Sequence, residues 1–236
     1  MREMCDELGC ILLTRDNNDH AKAGNINTAL HKTTGDLVLI LDCDHIPMRR
    51  FLQETVGFFY DEKWRWCKHP TGSIIPIRLS AICAPEAMCL SAMSYFTKYC
   101  KRQRLLECSL FCGSAAVIRR NYVLSIGGIA TETVTEDCHT SLRLHALGYK
   151  SVYYDKIMVA GLAPETFSSY VGQQVRWARG MAQILRLENP LFNRKLRLRF
   201  PQRLCYFSAT SHFFFGFPRL MFAIAPACFC CLASTR

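Results

Sequence analysis

The sequence is poor in acidic residues and unremarkable in glycine and proline, and these shortages exclude several classes of protein. A fifth of its 236 residues are charged and half are hydrophobic, which excludes a solvated, disordered chain. The 13 glycines and 9 prolines are too few for a collagen-like or low-complexity chain. With 19 acidic and 29 basic residues, the net charge of +10 suits an anionic partner such as a nucleotide, an acidic lipid or a nucleic acid.

The N-terminal stretch MREMCDELGC is charged and lacks the apolar core of a signal peptide. A disulfide framework is typical of short secreted chains, so we expect the 14 cysteines to be mostly reduced and cytosolic. No C-x-x-C pair is accompanied by the further His or Cys residues that a zinc site needs. The length allows one large domain or one and a half small ones.

Strand and helix signals alternate along residues 1–163. The apolar run from Leu37 to Leu41 is typical of a strand buried on both faces, and the preceding segment, residues 21–32, indicates a helix. A second block repeats the alternation with a strand AAVIRR, a Gly127–Gly128 turn, a helix from about Glu136 to Leu147 and a strand SVYYD. This order predicts an α/β fold with a mostly parallel sheet flanked by helices.

Residues 164–236 have a different character. A long helical stretch, Ser168 to Leu187, precedes a basic segment that contains Arg194, Lys195, Arg197, Arg199 and Arg203. An aromatic and apolar run follows from residue 206, and Arg219 interrupts it before the roughly 20 apolar residues of a full span are reached. We expect an amphipathic interface segment at 164–204 and the start of a membrane region, a truncated membrane helix, at 205–236. A buried core helix with a cationic face is the alternative.

Two carboxylates, Asp42 and Asp44, end the strand that begins near Leu37. Side chains at positions i and i+2 of a strand point the same way, so both can face one divalent ion. Mg²⁺ prefers carboxylate and phosphate oxygens and would neutralise a nucleotide diphosphate as it leaves. Acids that merely cap a turn are common at strand ends, so the pair by itself is open to either interpretation.

Glu136 and Asp137 open a predicted helix. A carboxylate there could accept the proton of a sugar hydroxyl that attacks an anomeric carbon. Acids in a first helical turn also complement the helix dipole and need no further function.

Gln173, Arg176 and Trp177 share one helical face by their spacing. Trp offers a stacking surface for a sugar ring, and Gln and Arg can bind hydroxyls and phosphate. An interfacial Trp beside a snorkelling Arg would give the same pattern.

The order of these motifs resembles the processive family 2 glycosyltransferases, and most closely the bacterial cellulose synthases (UDP-forming). The strings that carry the resemblance are HAKAGNINTAL, LILDCDHIP, LFCGSAAVIRR, GGIATETVTEDCHTSLRLHALGY and GQQVRWARGMAQI. They span roughly three quarters of the chain. By resemblance, residues 1–163 would be part of a GT-A-like glycosyltransferase domain.

The resemblance also implies residue roles. Asp42 and Asp44 would bind a UDP-sugar, Asp44 chiefly through Mg²⁺ or Mn²⁺, and Lys22 would lie beside the nucleotide. Asp137 would be the general base, with Glu136 supporting it. The acceptor and diphosphate would be held by Gln173, Arg176 and Trp177, and Cys112 would line the acceptor site.

The reaction implied is inverting, metal-dependent transfer of glucose from UDP-glucose to a β-1,4-glucan acceptor. The family setting implies a bacterial inner membrane with the catalytic domain in the cytoplasm, a periplasmic cellulose synthase subunit as partner and no nucleic acid. The family's first strands and later membrane helices are missing from this sequence, so we expect an internal fragment. An inactive remnant, a UDP-sugar-binding module, or a hyaluronan, chitin or curdlan synthase are the alternatives.

Residues 64–110 do not fit their surroundings. They contain five of the 14 cysteines and sustain neither helical nor strand periodicity. Codons can be chosen for which shifted reading frames within this segment resemble the family. We therefore hypothesise a frame-shifted reading here, and expect the segment to pack poorly.

Overall fold

The computed structural model of the protein describes residues 2–60, 64–68, 71–73, 108–154, 156–162, 164, 166–216, 221, 224 and 225. The helices in these ranges are α1 (Arg2–Glu7), α2 (Ala21–Lys32), α3 (Phe51–Val56), α4 (Arg120–Ser125), α5 (Glu136–Ala146), α6 (Phe167–Leu187) and α7 (Phe200–Ser211). The strands are β1 (Leu37–Ile40), β2 (Ile46–Pro47), β3 (Trp64–Lys68), β4 (Thr71–Ser73), β5 (Ala116–Arg119), β6 (Lys150–Tyr153) and β7 (Val159–Gly161). Single 3₁₀ turns follow α3 and α7 at Gly57–Tyr60 and His212–Phe215.

The predicted elements of the first domain are present. The helix expected at 21–32 is α2, the apolar run is β1, and the helix expected from Glu136 is α5. The turn before α5 also forms, with φ of +86° at Gly127 and +102° at Gly128, values that favour glycine.

The prediction of a mostly parallel sheet is wrong for the described strands. The larger sheet has the order β1-β5-β3-β6, and β5 runs antiparallel to both of its neighbours. In this sheet β3 and β6 are parallel, and the smaller sheet, β2-β7-β4, contains one antiparallel and one parallel pair. The central strand β5 is buried almost throughout, and an antiparallel strand covered on both faces needs apolar residues as much as a parallel one, so its composition did not reveal its direction.

Each face of the larger sheet carries its own apolar core. Ile118 of β5 packs in a cluster with Leu30 of α2 and Val123 of α4. Its neighbour Val117 faces the opposite way, into a cluster that includes Phe51 of α3. Because β5 is buried on both faces, its position beside β1 is fixed, and so is the start of the loop that enters β5.

The expectation of poor packing does not hold for the described ends of the segment 64–110. Strand β3 lies inside the larger sheet, between β5 and β6, and Cys67 is fully buried. Cys108, Ser109 and Leu110 are buried as well. Residues 69–70 and 74–107 lie outside the described residues, and the frame-shift hypothesis stays a prediction.

The C-terminal part contains a core helix. On α7, Cys205 and Tyr206 are buried, and the Tyr206 hydroxyl lies 2.6 Å from His145 Nδ1 of α5. Arg203, expected in the exposed basic segment, instead donates to the carbonyls of Pro190 and Leu191. Those carbonyls lie in an irregular stretch, where no helix provides them with backbone donors. Arg203 therefore stabilises the fold.

Within the described part of the chain, no helix is both long and apolar enough to cross a membrane. Of the predicted membrane region, residues 205–211 belong to α7, and residues 217–220, 222–223 and 226–236 lie outside the described residues.

Candidate active site

The carboxylates that end β1 lie beside the loop that enters β5. Because Ile40 pairs with Ala116, the residues after β1 and before β5 are neighbours. The Asp42 backbone N–H donates to Ser114 Oγ at 3.0 Å, and the same hydroxyl contacts His45 Nδ1. Donor atoms of Asp42, Asp44 and His45 lie within 4.8 Å of one another, so these three side chains could hold one metal ion.

Lys22 of α2 connects this group to the β5 loop. Its Nζ donates to Asp42 Oδ1 at 2.5 Å and to the Gly113 carbonyl at 2.6 Å. Both side chains of the ion pair are about one-third exposed. Asp44 has no hydrogen-bond or ion-pair partner in the ranges that the structure describes, so its carboxylate is open to a cation.

Asp137 lies on the other side of the same loop. A Cβ on Gly113 would lie 3.3 Å from Asp137 Oδ2, so the carboxylate of the predicted base lies beside the residue whose carbonyl binds Lys22. Asp137 Oδ1 accepts the Cys138 N–H at 2.7 Å. The loop is tied to α5, because the Phe111 N–H donates to Ser141 Oγ at 2.8 Å. Cys112, between these two contacts, is exposed.

Glu136 is electrostatically coupled to the rest of the site. Burial raises the pKa of its carboxyl group, and the charge of Asp42 adds to that rise. The positive charges of Lys22 and Arg176 oppose it, and these two residues come from different helices, α2 and α6. The start of α5 therefore lies within electrostatic reach of both the β1 carboxylates and α6.

The three α6 residues that were predicted to bind the acceptor and the diphosphate differ in their interactions with the rest of the site. Arg176 acts on Glu136 through its charge, whereas Gln173 is half-buried and Trp177 is 41 % exposed. Neither Gln173 nor Trp177 has a hydrogen-bond, ion-pair or ring partner among the described residues. Their surfaces are available to a ligand.

Salt bridges hold the end of α6 against α5. The Arg143 guanidinium binds Glu188 Oε1 at 3.1 Å and Glu132 Oε1 at 2.9 Å. The pKa of the Glu188 carboxyl group is lowered, first by the His139 ring, whose Nε2 lies 3.3 Å from Glu188 Oε1, and then by Arg143.

The sequence interpretation missed His45, Ser114 and the Gly113 carbonyl. His45 directly follows Asp44, and a polar residue at the end of a buried strand is a usable signal. The Ser114 hydroxyl and the Gly113 carbonyl gain their place from the pairing of β1 with β5, which joins residues more than 70 positions apart.

Comparisons with known proteins give the family of the chain. Residues 37–235 match the model of the glycosyl transferase family group 2. The cellulose synthase catalytic subunit (UDP-forming) of Pseudomonas fluorescens (strain SBW25) is 44 % identical over 227 residues, 95 % of this chain. The subunit of the same name from Xanthomonas axonopodis pv. citri (strain 306) is 45 % identical over 222 residues, 93 % of this chain. The chain spans 30 % of the length of each of these relatives.

A solved structure shares the fold. The mannosyltransferase PcManGT from Pyrobaculum calidifontis, in complex with GDP-Man and Mn²⁺, superposes with a TM-score of 0.62 at 17 % identity. The match covers 88 % of this chain and 55 % of that one. The likeness supports the GT-A-like fold expected from the sequence, and the family match covers most of the chain, so the chain belongs to the glycosyl transferase family group 2.

Proposed function

We propose that the chain carries the catalytic site of a cellulose synthase, which moves glucose from UDP-glucose to the growing end of a β-1,4-glucan. One observation supports this most: Lys22, Asp42 and Asp137 meet around the backbone of Gly113. A donor diphosphate and an acceptor base must lie close together for a direct displacement. The two relatives compared above carry the same UDP-forming activity in their names.

On the donor side, Asp44, Asp42 and His45 would hold Mg²⁺ or Mn²⁺. The fit is good for a hard cation, because Asp44 has a carboxylate that no described residue occupies and the donor atoms are close. When bound, the ion would neutralise the charge of the departing UDP. Lys22 is placed to bind the diphosphate by exchanging its bond with Asp42 for one with phosphate.

On the acceptor side, Asp137 would take the proton of the attacking glucan hydroxyl. The hydroxyl oxygen forms a bond to the anomeric carbon while the bond from that carbon to the UDP oxygen breaks. A single displacement of this kind inverts the anomeric centre. Glu136 would support the site, and the half-buried start of α5 would limit the access of competing water.

The acceptor would lie along α6. Trp177 presents an exposed ring for stacking on a glucosyl unit, and Gln173 can bind hydroxyls. Arg176 would contribute positive charge to the diphosphate, and Cys112, exposed in the Gly113 loop, would line the acceptor site.

The setting we propose is a bacterial inner membrane, with the catalytic domain in the cytoplasm and a periplasmic cellulose synthase subunit as partner. The support comes from exposed apolar side chains on α6, which include Phe167, Val171 and Val175. Arg194 and Lys195, which are exposed after α6, would face anionic headgroups. Fractionation and a vesicle-binding assay with and without anionic lipid test this proposal.

Incorporation of labelled glucose from UDP-glucose, followed by digestion with a β-1,4-specific glucanase, tests the function. We expect insoluble label that the glucanase releases, and none with Asp44→Asn. Asp36→Asn is the matched control, because Asp36 is an exposed acid at the opposite end of the same strand. Label that resists the glucanase would indicate another polymer, and no label at all would indicate a binding module or remnant.

A further inference from the structure

Helix α6 touches the start of α5 through a glycine. Gly180 is buried, and a Cβ there would lie 2.5 Å from Thr135 Oγ1, 2.6 Å from Thr135 Cγ2 and 2.7 Å from the Thr135 backbone nitrogen. Real Cβ atoms essentially never approach other atoms below 3.0 Å. Because one of the three atoms belongs to the backbone, a larger residue at 180 would force the two segments apart.

The helix contains a second glycine in the opposite situation. Gly172 is exposed, and a Cβ built on it would meet nothing within 4 Å. Glycine is unfavourable inside a helix because of its backbone freedom, so both positions weaken α6 locally. Only Gly180 has a steric reason to be glycine.

Thr135 is used for packing at this contact. It occupies the N-cap of α5, where a threonine hydroxyl usually accepts a backbone N–H of the first turn. Here the side chain makes no such bond, and its buried Oγ1 has no hydrogen-bond partner in the described part of the protein. A second contact lies one turn further along α6, where Gln183 Oε1 accepts the Val134 N–H at 2.9 Å.

The contact joins two parts of the site. Gly180 follows Arg176 by four residues and Trp177 by three, so all three share one side of the helix. Thr135 directly precedes the carboxylates of Glu136 and Asp137. Any change in the separation of Gly180 and Thr135 therefore moves the acceptor-binding residues relative to those carboxylates.

We propose that Gly180 is a positioning residue, which sets the distance between the Arg176–Trp177 face of α6 and the carboxylates that open α5. The catalytic meaning of that distance rests on the proposed function, whereas the contact itself does not. An error of about 1 Å in such a distance can cost about 100-fold in rate.

Gly180→Ala tests the proposal, with Gly172→Ala as the control. We expect Gly180→Ala to lower kcat for glucose transfer by about 10- to 100-fold. KM for UDP-glucose should change less than kcat, because Lys22, Asp42 and Asp44 keep their places and only Arg176 among the proposed donor-binding residues moves. Gly180→Ala should also speed hydrogen exchange at the Val134 amide, which Gln183 protects. Gly172→Ala should match the wild type in transfer and in exchange at Val134.

Equal kcat and equal Val134 exchange in the two variants would overturn the proposal. If Gly180→Ala folds poorly, a cycle with Thr135→Ala decides, because that change removes two of the three clashing atoms. The loss caused by Gly180→Ala, in rate or in Val134 protection, should be smaller in the Thr135→Ala background, and an equal loss would contradict the contact. A wild-type protein without transfer activity would count against the proposed function, and exchange at Val134 would then judge Gly180 alone.

Discussion

Mild acid should destabilise the protein through one buried histidine. The His145 ring is fully buried on α5, with Nδ1 2.6 Å from the Tyr206 hydroxyl and Nε2 3.0 Å from Ser151 Oγ. Burial lowers the pKa of His145 from 6.5 to about 3, and a bond with the Ser141 backbone opposes the shift only in part. Between these two pKa values the His145 ring binds a proton in the unfolded chain but stays neutral in the folded protein.

The sign and the size follow from this difference. At pH 7.5 neither state is protonated, so the shift costs nothing. As the pH falls below 6.5, the free energy of unfolding should drop by about 1.4 kcal/mol per unit, or about 2 kcal/mol by pH 5.0. The described carboxyl groups with lowered pKa, Glu54, Glu132 and Glu188, lose their contribution only as the pH falls below their unfolded value of 4.5. This loss therefore lies mostly below the range between pH 7.5 and pH 5.0.

Urea unfolding at pH 7.5 and 5.0 measures the effect. His145→Asn keeps a polar amide group near the position of the ring but cannot titrate, so most of the drop between the two pH values should vanish. His31→Gln on the exposed side of α2 is the control and should leave the drop intact. An equal drop in wild type and His145→Asn would refute the assignment to His145.

Two further changes test the site and its support. Calorimetry should show UDP affinity that depends on Mg²⁺ or Mn²⁺ in the wild type and in Asp36→Asn, and loses this dependence in Asp44→Asn; unchanged wild-type affinity in chelator would contradict the metal site. Arg143→Ala should lower the free energy of unfolding by about 1–2 kcal/mol, because it removes bonds to Glu132 and Glu188 and solvent already weakens the first. Arg186→Ala, at an exposed position of α6, should change it by less than about 0.5 kcal/mol in the same urea assay.

The sequence was informative where the pattern is local. The apolar run of β1, the glycine turn before α5 and the acids at the start of α5 follow from neighbouring residues, and the structure has them all. Strand direction was not predictable in this way, because burial on both faces gives β5 the same composition whichever way it runs. The Ser114 hydroxyl and the Gly113 carbonyl depend on that direction, so these parts of the site were missed.

The same limit applies to the C-terminal part. The membrane region suggested by the aromatic composition from residue 206 onward stays a prediction, but its first residue, Tyr206, is buried against His145, which is 61 positions earlier in the sequence. Likewise, the charge of Arg203 suggested a lipid-facing surface. Its guanidinium instead donates to the backbone carbonyls of Pro190 and Leu191, which lie in an irregular stretch. Composition shows whether a residue is apolar or charged, but long-range packing determines which other residues its side chain contacts.

The most direct test of the site is the turnover of Asp137→Asn. The variant keeps the size of the side chain and removes the proton acceptor, so glucose transfer should fall by about 10²- to 10⁴-fold. UDP binding should persist, because Lys22, Asp42 and Asp44 are unchanged. Near wild-type transfer by the Asn variant would contradict the account, and Glu136→Gln would then identify the base.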